Sequence, residues 1–205
     1  YSALKNTQAE LVETEKQREA QQVRVRIARD IHDDIGSGVT KITLLSDITR
    51  KKTTDPSIQE ALSKITDYSK GVSGSLSEIV WAIHPGNDHV GSLVSYMKST
   101  AYQLMENSGM SFRAEFPPES QESAVHPEVK RNIYLVMKEA LHNVVKYSGA
   151  TQVSVTFRTD NGHFFLEVAD NGKGFDVPSL NDSENRKSGN GLINMKQRMA
   201  QHGNA

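Results

Sequence analysis

Apolar residues recur every seven positions through the first 84 residues, and this spacing predicts two long helices with apolar stripes. A polar break at residues 51–56 separates the helices and ends in Pro56, a residue suited to the first turn of a helix. In the first helix the repeat comprises Leu4, Leu11, Val25, His32 and Val39. In the second helix two repeats comprise Ile58, Ile65, Val72 and Ile79, and Leu62, Ser69, Leu76 and Ile83.

Two such helices joined by a short turn predict an antiparallel hairpin over residues 23–84. One hairpin cannot cover both apolar seams, so we expect two copies to pair into a four-helix bundle, which makes the protein a homodimer. Residues 1–22 are rich in Glu, Gln and Lys, and we expect them to form a coiled coil that leads into the bundle.

A second pattern begins after a linker at residues 85–89 and mixes helices with strands, so the fold class is α followed by α/β. Alternating apolar residues predict a strand near 110–116 and a hairpin of two strands that turns at residues 160–162. Three helices are predicted, from 90 to about 107, from Pro127 onward, and from Leu192 to about His202. The polar segment 176–191 is predicted to be a mobile loop. We assign residues 90–205 to this second domain.

Composition and charge exclude several classes of function. The chain has 205 residues and a formal net charge of −1, so nothing in its charge favours nucleic acid as a partner. It has no cysteine, which excludes disulfides and thiolate metal sites. The sequence has neither a signal peptide nor an apolar run long enough to span a membrane. Because the helical pattern is already under way at Tyr1, we expect a longer parent protein.

The first candidate for chemistry is His32, which Asp33 and Asp34 follow directly. A carboxylate beside an imidazole can hold one ring nitrogen protonated, which leaves the other as a nucleophile near neutral pH. His32 projects about 100° from an apolar stripe on the same helix, so it lies at the edge of the buried face. That stripe comprises Ile27, Ile31, Ile35, Ile42 and Leu45. A solvated polar face that happens to contain a histidine is the alternative.

The second candidate is a polar row on the long helix that begins at Pro127. Glu139, Asn143 and Lys146 occupy positions i, i+4 and i+7, which lie on one side of an α-helix. A carboxylate and an amide oxygen one turn apart suit a partly hydrated Mg²⁺ that bridges phosphates. Taken alone, the row favours an ordinary solvated helix face.

Two glycine-rich segments complete the pattern. Asp170 shares the inward-facing parity of its strand, which predicts a buried carboxylate able to accept a hydrogen bond from the amine of adenine. Gly172 and Gly174 follow it and let the backbone approach a flat ligand. Gly189 and Gly191 open the last helix, where free N–H groups suit phosphates. The segment DNGKG alone is moderately specific, with an ordinary turn as the alternative, and a lone Gly-x-Gly is a weak signal. The polar row and these two segments in this order, on helix, strand end and loop, form a strong one.

These motifs stand in the order found in a known family. The chain resembles the cytoplasmic core of a two-component sensor histidine kinase, of the class coupled to helix-turn-helix response regulators. The resemblance is carried by RVRIARDIHDDIG, EIVWAIHP, EALHNVVKYS, DNGKGF and GNGLINMKQR. The second domain resembles the ATPases shared with gyrase-type, chaperone and mismatch-repair proteins, which implies an α/β sandwich of the Bergerat type.

The resemblance implies an ATP-dependent protein histidine kinase that passes its phosphoryl group to an aspartate on the receiver domain of a response regulator. It implies a cytoplasmic location within a membrane-linked parent protein. His32 would be the phosphoacceptor and Asp33 its orienting base, while Asn143 would hold Mg²⁺ with support from Glu139. Roles at the nucleotide are implied for Lys146, Asp170, Gly172, Gly174, Gly189 and Gly191.

Two departures from the family pattern stand out. Members that also dephosphorylate their regulator commonly carry Gln five residues after the histidine, and this chain has Ser37. Strands that usually follow the last helix would lie beyond Ala205. Two rival functions are an ATP-driven conformational switch that phosphorylates no protein, and a scaffold that only dimerises. Acid-labile, base-stable phosphate on the protein would exclude the first, and a lack of nucleotide binding would favour the second.

Overall fold

The computed structural model describes residues 2–106, 108–160, 162–174 and 190–200. The chain divides into two compact units, Tyr1–Asn87 and Asp88–Ala205. The first unit is helical and the second combines helices with a mixed sheet, which confirms the predicted fold class. None of the described helices is long and apolar enough to cross a membrane.

The helical unit is the predicted hairpin. Its elements are α1 (Ser2–Asp30), a π-helical turn (Ile31–Gly36), α2 (Ser37–Lys52) and α3 (Pro56–Ile83), and α2 packs against α3. Asp55 caps α3, because its carboxylate accepts hydrogen bonds from the backbone N–H groups of Ser57 at 2.8 Å and Ile58 at 3.4 Å. Helix α1 continues without a break past residue 22, so the backbone itself marks no end of a coiled-coil segment there.

The buried residues among those described in this unit are small ones: Ala28, Ser46, Thr66, Ser69 and Ala82. The stripe predicted on the first helix is largely exposed, with Ile35 at 49% and Leu45 at 63%. Of the two repeats on the second helix, the one that contains Val72 is exposed, and the one that comprises Leu62, Ser69, Leu76 and Ile83 is buried or half-buried. One apolar face of the hairpin is therefore covered within this chain and another is left exposed.

The π-helical turn interrupts the predicted seven-residue repeat at His32. A π turn accommodates one residue more than an α-helical turn, so positions after Gly36 are offset by about 100° from a straight helix. Beyond Gly36 the seven-residue spacing therefore no longer corresponds to one straight stripe on the helix.

The second unit is built on a three-stranded sheet in the order β1-β2-β3. Its elements are α4 (Val90–Glu106), β1 (Ser111–Glu115), α5 (Pro127–Asn143), a π-helical turn (Val144–Ser148), β2 (Gln152–Asp160), β3 (His163–Asp170) and α6 (Asn190–Ala200). Strand β1 runs parallel to β2, with Phe112 opposite Val153. Strands β2 and β3 form the predicted antiparallel hairpin.

The core of this unit lies between the sheet and helices α4 and α5. Alternate residues of β2 face it, as the pattern predicts, while the residues between them are more exposed. The most deeply buried members are Leu93, Val94, Met97, Met137, Leu141, Val155 and Phe157. The fully buried Lys130 of α5 pairs with Asp88 at 2.8 Å, which fixes the start of the unit to this core.

Three predictions concern residues outside the described part of the chain: most of the loop 176–191, the helix end near His202, and Gly189. Helix α6 begins at Asn190, slightly before the predicted Leu192.

Candidate active site

His32 lies in the π-helical turn with its side chain 77% exposed. Its Nδ1 is 3.0 Å from Oδ1 of Asp33, which is 63% exposed. With Asp33 ionised, this contact places the ring proton on Nδ1 and leaves the lone pair on Nε2. Asp33 is thus the carboxylate in contact with the ring, and the imidazole is otherwise exposed to solvent.

The π-helical turn also changes which residues share a side with His32. In a straight α-helix residue 37 would lie about 140° around the axis from residue 32. Across a π turn, in which residues five apart are paired, Ser37 lies closer to the side of His32 than it would in an α-helix. The Ser37 hydroxyl donates to the backbone oxygen of Asp34 at 3.3 Å, so it is directed toward its own helix.

The end of α5 carries the predicted polar row. Glu139 and Asn143 are half-buried, one turn apart, in the last turns of the helix. Lys146 is exposed and lies in the π-helical turn that follows. Each residue advances less around the axis in such a turn, so Lys146 does not follow the α-helical spacing of Glu139 and Asn143.

Helix α6 lies antiparallel along α5. A Cβ atom at Gly191 would collide with Oε1 of Glu139, so the start of α6 is in direct contact with that carboxylate. Seven residues later, the guanidinium of Arg198 donates to the side-chain oxygen of Asn132 at 3.4 Å. The structure therefore brings the polar row and the start of the last helix together.

Asp170 is the last residue of β3, and its carboxylate accepts a hydrogen bond from the Gly172 N–H at 2.8 Å. Its strand parity is the predicted one, since it stands opposite the buried Val153. The prediction that Asp170 is buried is wrong for the described part of the chain, because the residue lies at the end of the sheet, where no described element covers it.

The two glycines after Asp170 are required for different reasons. A Cβ at Gly172 would lie 2.5 Å from the backbone oxygen of Ser148, so only glycine fits there. Gly174 has φ of +64°, a left-handed conformation that glycine adopts readily. The turn after β3 can therefore lie close against the end of α5.

Two further residues of this region were missed in the sequence. Ser148 accepts a hydrogen bond from the Lys173 N–H at 3.0 Å and so ties the turn to the end of the π-helical turn. Asn171 accepts hydrogen bonds from the N–H groups of Thr151 and Gln152, each at 2.9 Å. Their polar contacts join segments about twenty residues apart, and hydrophobic periodicity carries no signal for such contacts.

The donor set at this edge of the domain is made of oxygens and backbone N–H groups. Among the described residues, no group of three or more His, Cys, Asp or Glu side chains could by itself enclose a metal ion. An amide and a carboxylate oxygen instead fit a hydrated Mg²⁺ that completes its shell with water and phosphate oxygens. Asn143 and Glu139 supply those two groups on adjacent turns.

Comparisons with known proteins agree with this geometry. Residues 23–88 match the family model described as histidine kinase, and residues 128–205 match the model of histidine kinase-, DNA gyrase B-, and HSP90-like ATPases. The two matches together cover more than half of the chain. The chain joins the two domains of a histidine kinase core. Its second unit is therefore an ATP-binding domain, and the resemblance seen in the sequence is confirmed.

Several curated sensor kinases are similar over most of this chain. Sensor histidine kinase MctS of Rhizobium johnstonii is 28% identical over 86% of this chain and 38% of its own length. The kinase/phosphatase DegS of Brevibacillus brevis is 28% identical over 86% of this chain and 45% of its own length. Sensor histidine kinase LiaS of Bacillus subtilis is 23% identical over 98% of this chain and 54% of its own length. This chain thus spans about half, or less, of the length of these relatives.

Proposed function

We propose that this sensor histidine kinase core transfers the γ-phosphoryl group of ATP to Nε2 of His32, and then to an aspartate of a response regulator. The observation that carries the proposal is the 3.0 Å contact between Nδ1 of His32 and Asp33, which leaves Nε2 exposed with its lone pair. The family match over residues 23–88 includes this histidine, which disfavours a switch that phosphorylates no protein.

The transfer is a displacement at phosphorus. The Nε2 lone pair forms the N–P bond while the bond from the γ-phosphorus to the bridging oxygen breaks, and ADP leaves with that electron pair. The ring becomes cationic as the bond forms, and the Asp33 carboxylate stabilises that charge through the proton on Nδ1. In the second step an aspartate oxygen of the regulator forms a P–O bond and the N–P bond breaks.

Asp170 is proposed to read the adenine ring. Because its Oδ1 already accepts from the Gly172 N–H at 2.8 Å, Oδ2 is the oxygen free to accept from the exocyclic amine. Guanine carries a carbonyl at that position, so two acceptors would face each other. Gly172 and Gly174 let the backbone approach the base, and the N–H groups of Gly189 and Gly191 suit the phosphates.

Asn143 is proposed as the protein ligand of Mg²⁺, with Glu139 holding the hydrated ion in place. When bound, Mg²⁺ neutralises charge on the phosphates and orients them. Lys146 is exposed just beyond Asn143, where its positive charge would attract the phosphates.

Dimerisation is proposed through the exposed apolar residues of the hairpin, such as Ile42, Leu45 and Ile65, which are 50%, 63% and 43% exposed. Two copies would bury these residues in a four-helix bundle. We propose further that the parent protein is membrane-linked upstream of Tyr1, places this core in the cytoplasm, and transmits its signal through residues 1–22.

The experiment incubates the protein with radiolabelled ATP and Mg²⁺ and measures phosphate that is acid-labile and base-stable. The wild type and His126→Gln should incorporate phosphate, and His32→Gln should not. His126 is a matched control, since it is exposed and its side chain makes no capping bond at the start of α5. Incorporation that persists in His32→Gln, with the protein still dimeric, would move the acceptor to another residue.

A further inference from the structure

We infer that Asn171 is a positioning residue for nucleotide recognition, an inference that rests on the proposed function of Asp170. Asn171 stands between Asp170 and Gly172, but its side chain is bonded to the start of β2. Its Oδ1 accepts hydrogen bonds from the N–H groups of Thr151 and Gln152, both at 2.9 Å. Its Nδ2 donates to the Thr151 hydroxyl at 3.0 Å.

These bonds fix one side of the turn that follows β3. The Asn171 N–H also donates to the backbone oxygen of Gln152 at 3.2 Å, which extends the pairing of β2 and β3 beyond Asp170. The other side is fixed by the 3.0 Å bond from the Lys173 N–H to the backbone oxygen of Ser148. The turn is thus held on both sides against segment 148–152, which begins at the last residue of the π-helical turn.

The hydrogen bonds of Asn171 to Thr151 and Gln152, which we call the clamp, determine the direction of the Asp170 carboxylate. Gly172 donates to Oδ1 of Asp170, and the position of Gly172 depends on the clamped backbone of Asn171. An acceptor held in place before the ligand arrives binds more tightly, because little conformational freedom is lost on binding. Asn171 directs both ends of its amide toward β2, so it acts through Asp170 and is not proposed to contact the nucleotide.

The side-chain chemistry defines which substitutions should retain the clamp. Aspartate has the same length and keeps an acceptor for both N–H groups, and the Thr151 hydroxyl can turn to donate to it. Leucine has a similar volume but offers no acceptor. Serine is too short for its hydroxyl to reach both N–H groups in the same way.

The test measures ADP and GDP binding by calorimetry in the presence of Mg²⁺, so that no phosphoryl transfer intervenes. We expect Asn171→Leu to lose about tenfold or more in ADP affinity and much of its preference for ADP over GDP. Asn171→Asp should stay within about threefold of wild type, because the acceptor remains. Gln152→Ala serves as the control, since it keeps the N–H group that Asn171 binds and removes only an exposed side chain, and it should change affinity by less than about threefold.

The outcomes separate this inference from the proposed function. A wild type that binds no ADP overturns both. A wild type that prefers ADP, with Asp170→Ala losing that preference and Asn171→Leu keeping it, overturns the inference alone. If Asn171 only stabilised the fold, Asn171→Leu would have a lower unfolding temperature and an unchanged ratio of ADP affinity to GDP affinity. That result would overturn the inference. If Asn171→Leu does not fold, Asn171→Ser decides, and an unchanged ratio in that variant overturns the inference.

Discussion

Gly191 lies directly against the carboxylate of Glu139, and a side chain at position 191 would collide with it. This contact joins the first turn of α6 to the end of α5, the two elements on which the metal and the phosphates are proposed to lie. The Arg198–Asn132 hydrogen bond at 3.4 Å holds the same two helices together seven residues further on.

The Gly191 contact predicts a selective effect of Gly191→Ala. The atom that the new methyl group meets is the far end of a flexible side chain, so the carboxylate of Glu139 should move and the fold should survive. We expect autophosphorylation to fall about tenfold or more, because a displaced catalytic group is costly, with little change in unfolding temperature.

Gly38→Ala is the matched control, because a Cβ there meets nothing within 4 Å. That variant should bind ADP as the wild type does. It should also stabilise α2, because alanine has a higher helix propensity than glycine. Normal autophosphorylation in Gly191→Ala would show that the position of the Glu139 carboxylate does not matter for transfer.

Asp33→Asn should slow phosphoryl transfer by about 10²–10⁴-fold, because it removes the charge that orients and stabilises the imidazole. ADP affinity should remain unchanged, since Asp33 belongs to the helical unit and is proposed to act only on His32. Single-turnover transfer and calorimetry measure the two quantities. Asp34→Asn is the control, and a larger loss in that variant would assign the orienting role to the second carboxylate.

Asn143→Ala should weaken ADP binding about tenfold or more when Mg²⁺ is present, through loss of the proposed protein ligand. With the ion chelated by EDTA, wild type and variant should bind ADP with similar affinities. ADP binding measured in EDTA is the control for ADP binding measured with Mg²⁺. A loss of the same size in EDTA would mean that Asn143 contacts the nucleotide directly and not through the ion.

Ser37 should make this protein a weak phosphatase toward its phosphorylated regulator. The hydroxyl is three heavy atoms shorter than a glutamine side chain and donates to the Asp34 backbone oxygen at 3.3 Å, so it is poorly placed to hold an attacking water. Ser37→Gln should accelerate loss of phosphate from the regulator, measured without ATP. Rapid dephosphorylation by the wild type, or no gain in Ser37→Gln, would contradict this prediction.

The hairpin and the alternation of the strands could be predicted because both follow from the spacing of apolar residues. The break that ends in Pro56 and the inward parity of Val153 and Phe157 are local signals, and the structure agrees with them. The order of the site motifs along the chain was also readable, because each motif has its own polar signature.

The two π-helical turns could not be predicted in this way, because a periodic pattern assumes a constant number of residues per turn. They occur at His32 and directly after Asn143, so they change the site and not only the scaffold. The exposure of Asp170 was missed because parity specifies a face of the sheet but not whether a neighbouring element covers it. The clamp of Asn171 was missed because its partners lie about twenty residues away.

The site of phosphorylation within the imidazole ring tests the central claim most directly. Nuclear magnetic resonance of the phosphorylated wild type distinguishes phosphate on Nε2 from phosphate on Nδ1. Because Nδ1 lies 3.0 Å from Asp33 and Nε2 is free, we predict a single phosphohistidine at position 32 with phosphate on Nε2. Phosphate on Nδ1 would contradict the role assigned to Asp33, and phosphate on any other residue would contradict the account as a whole.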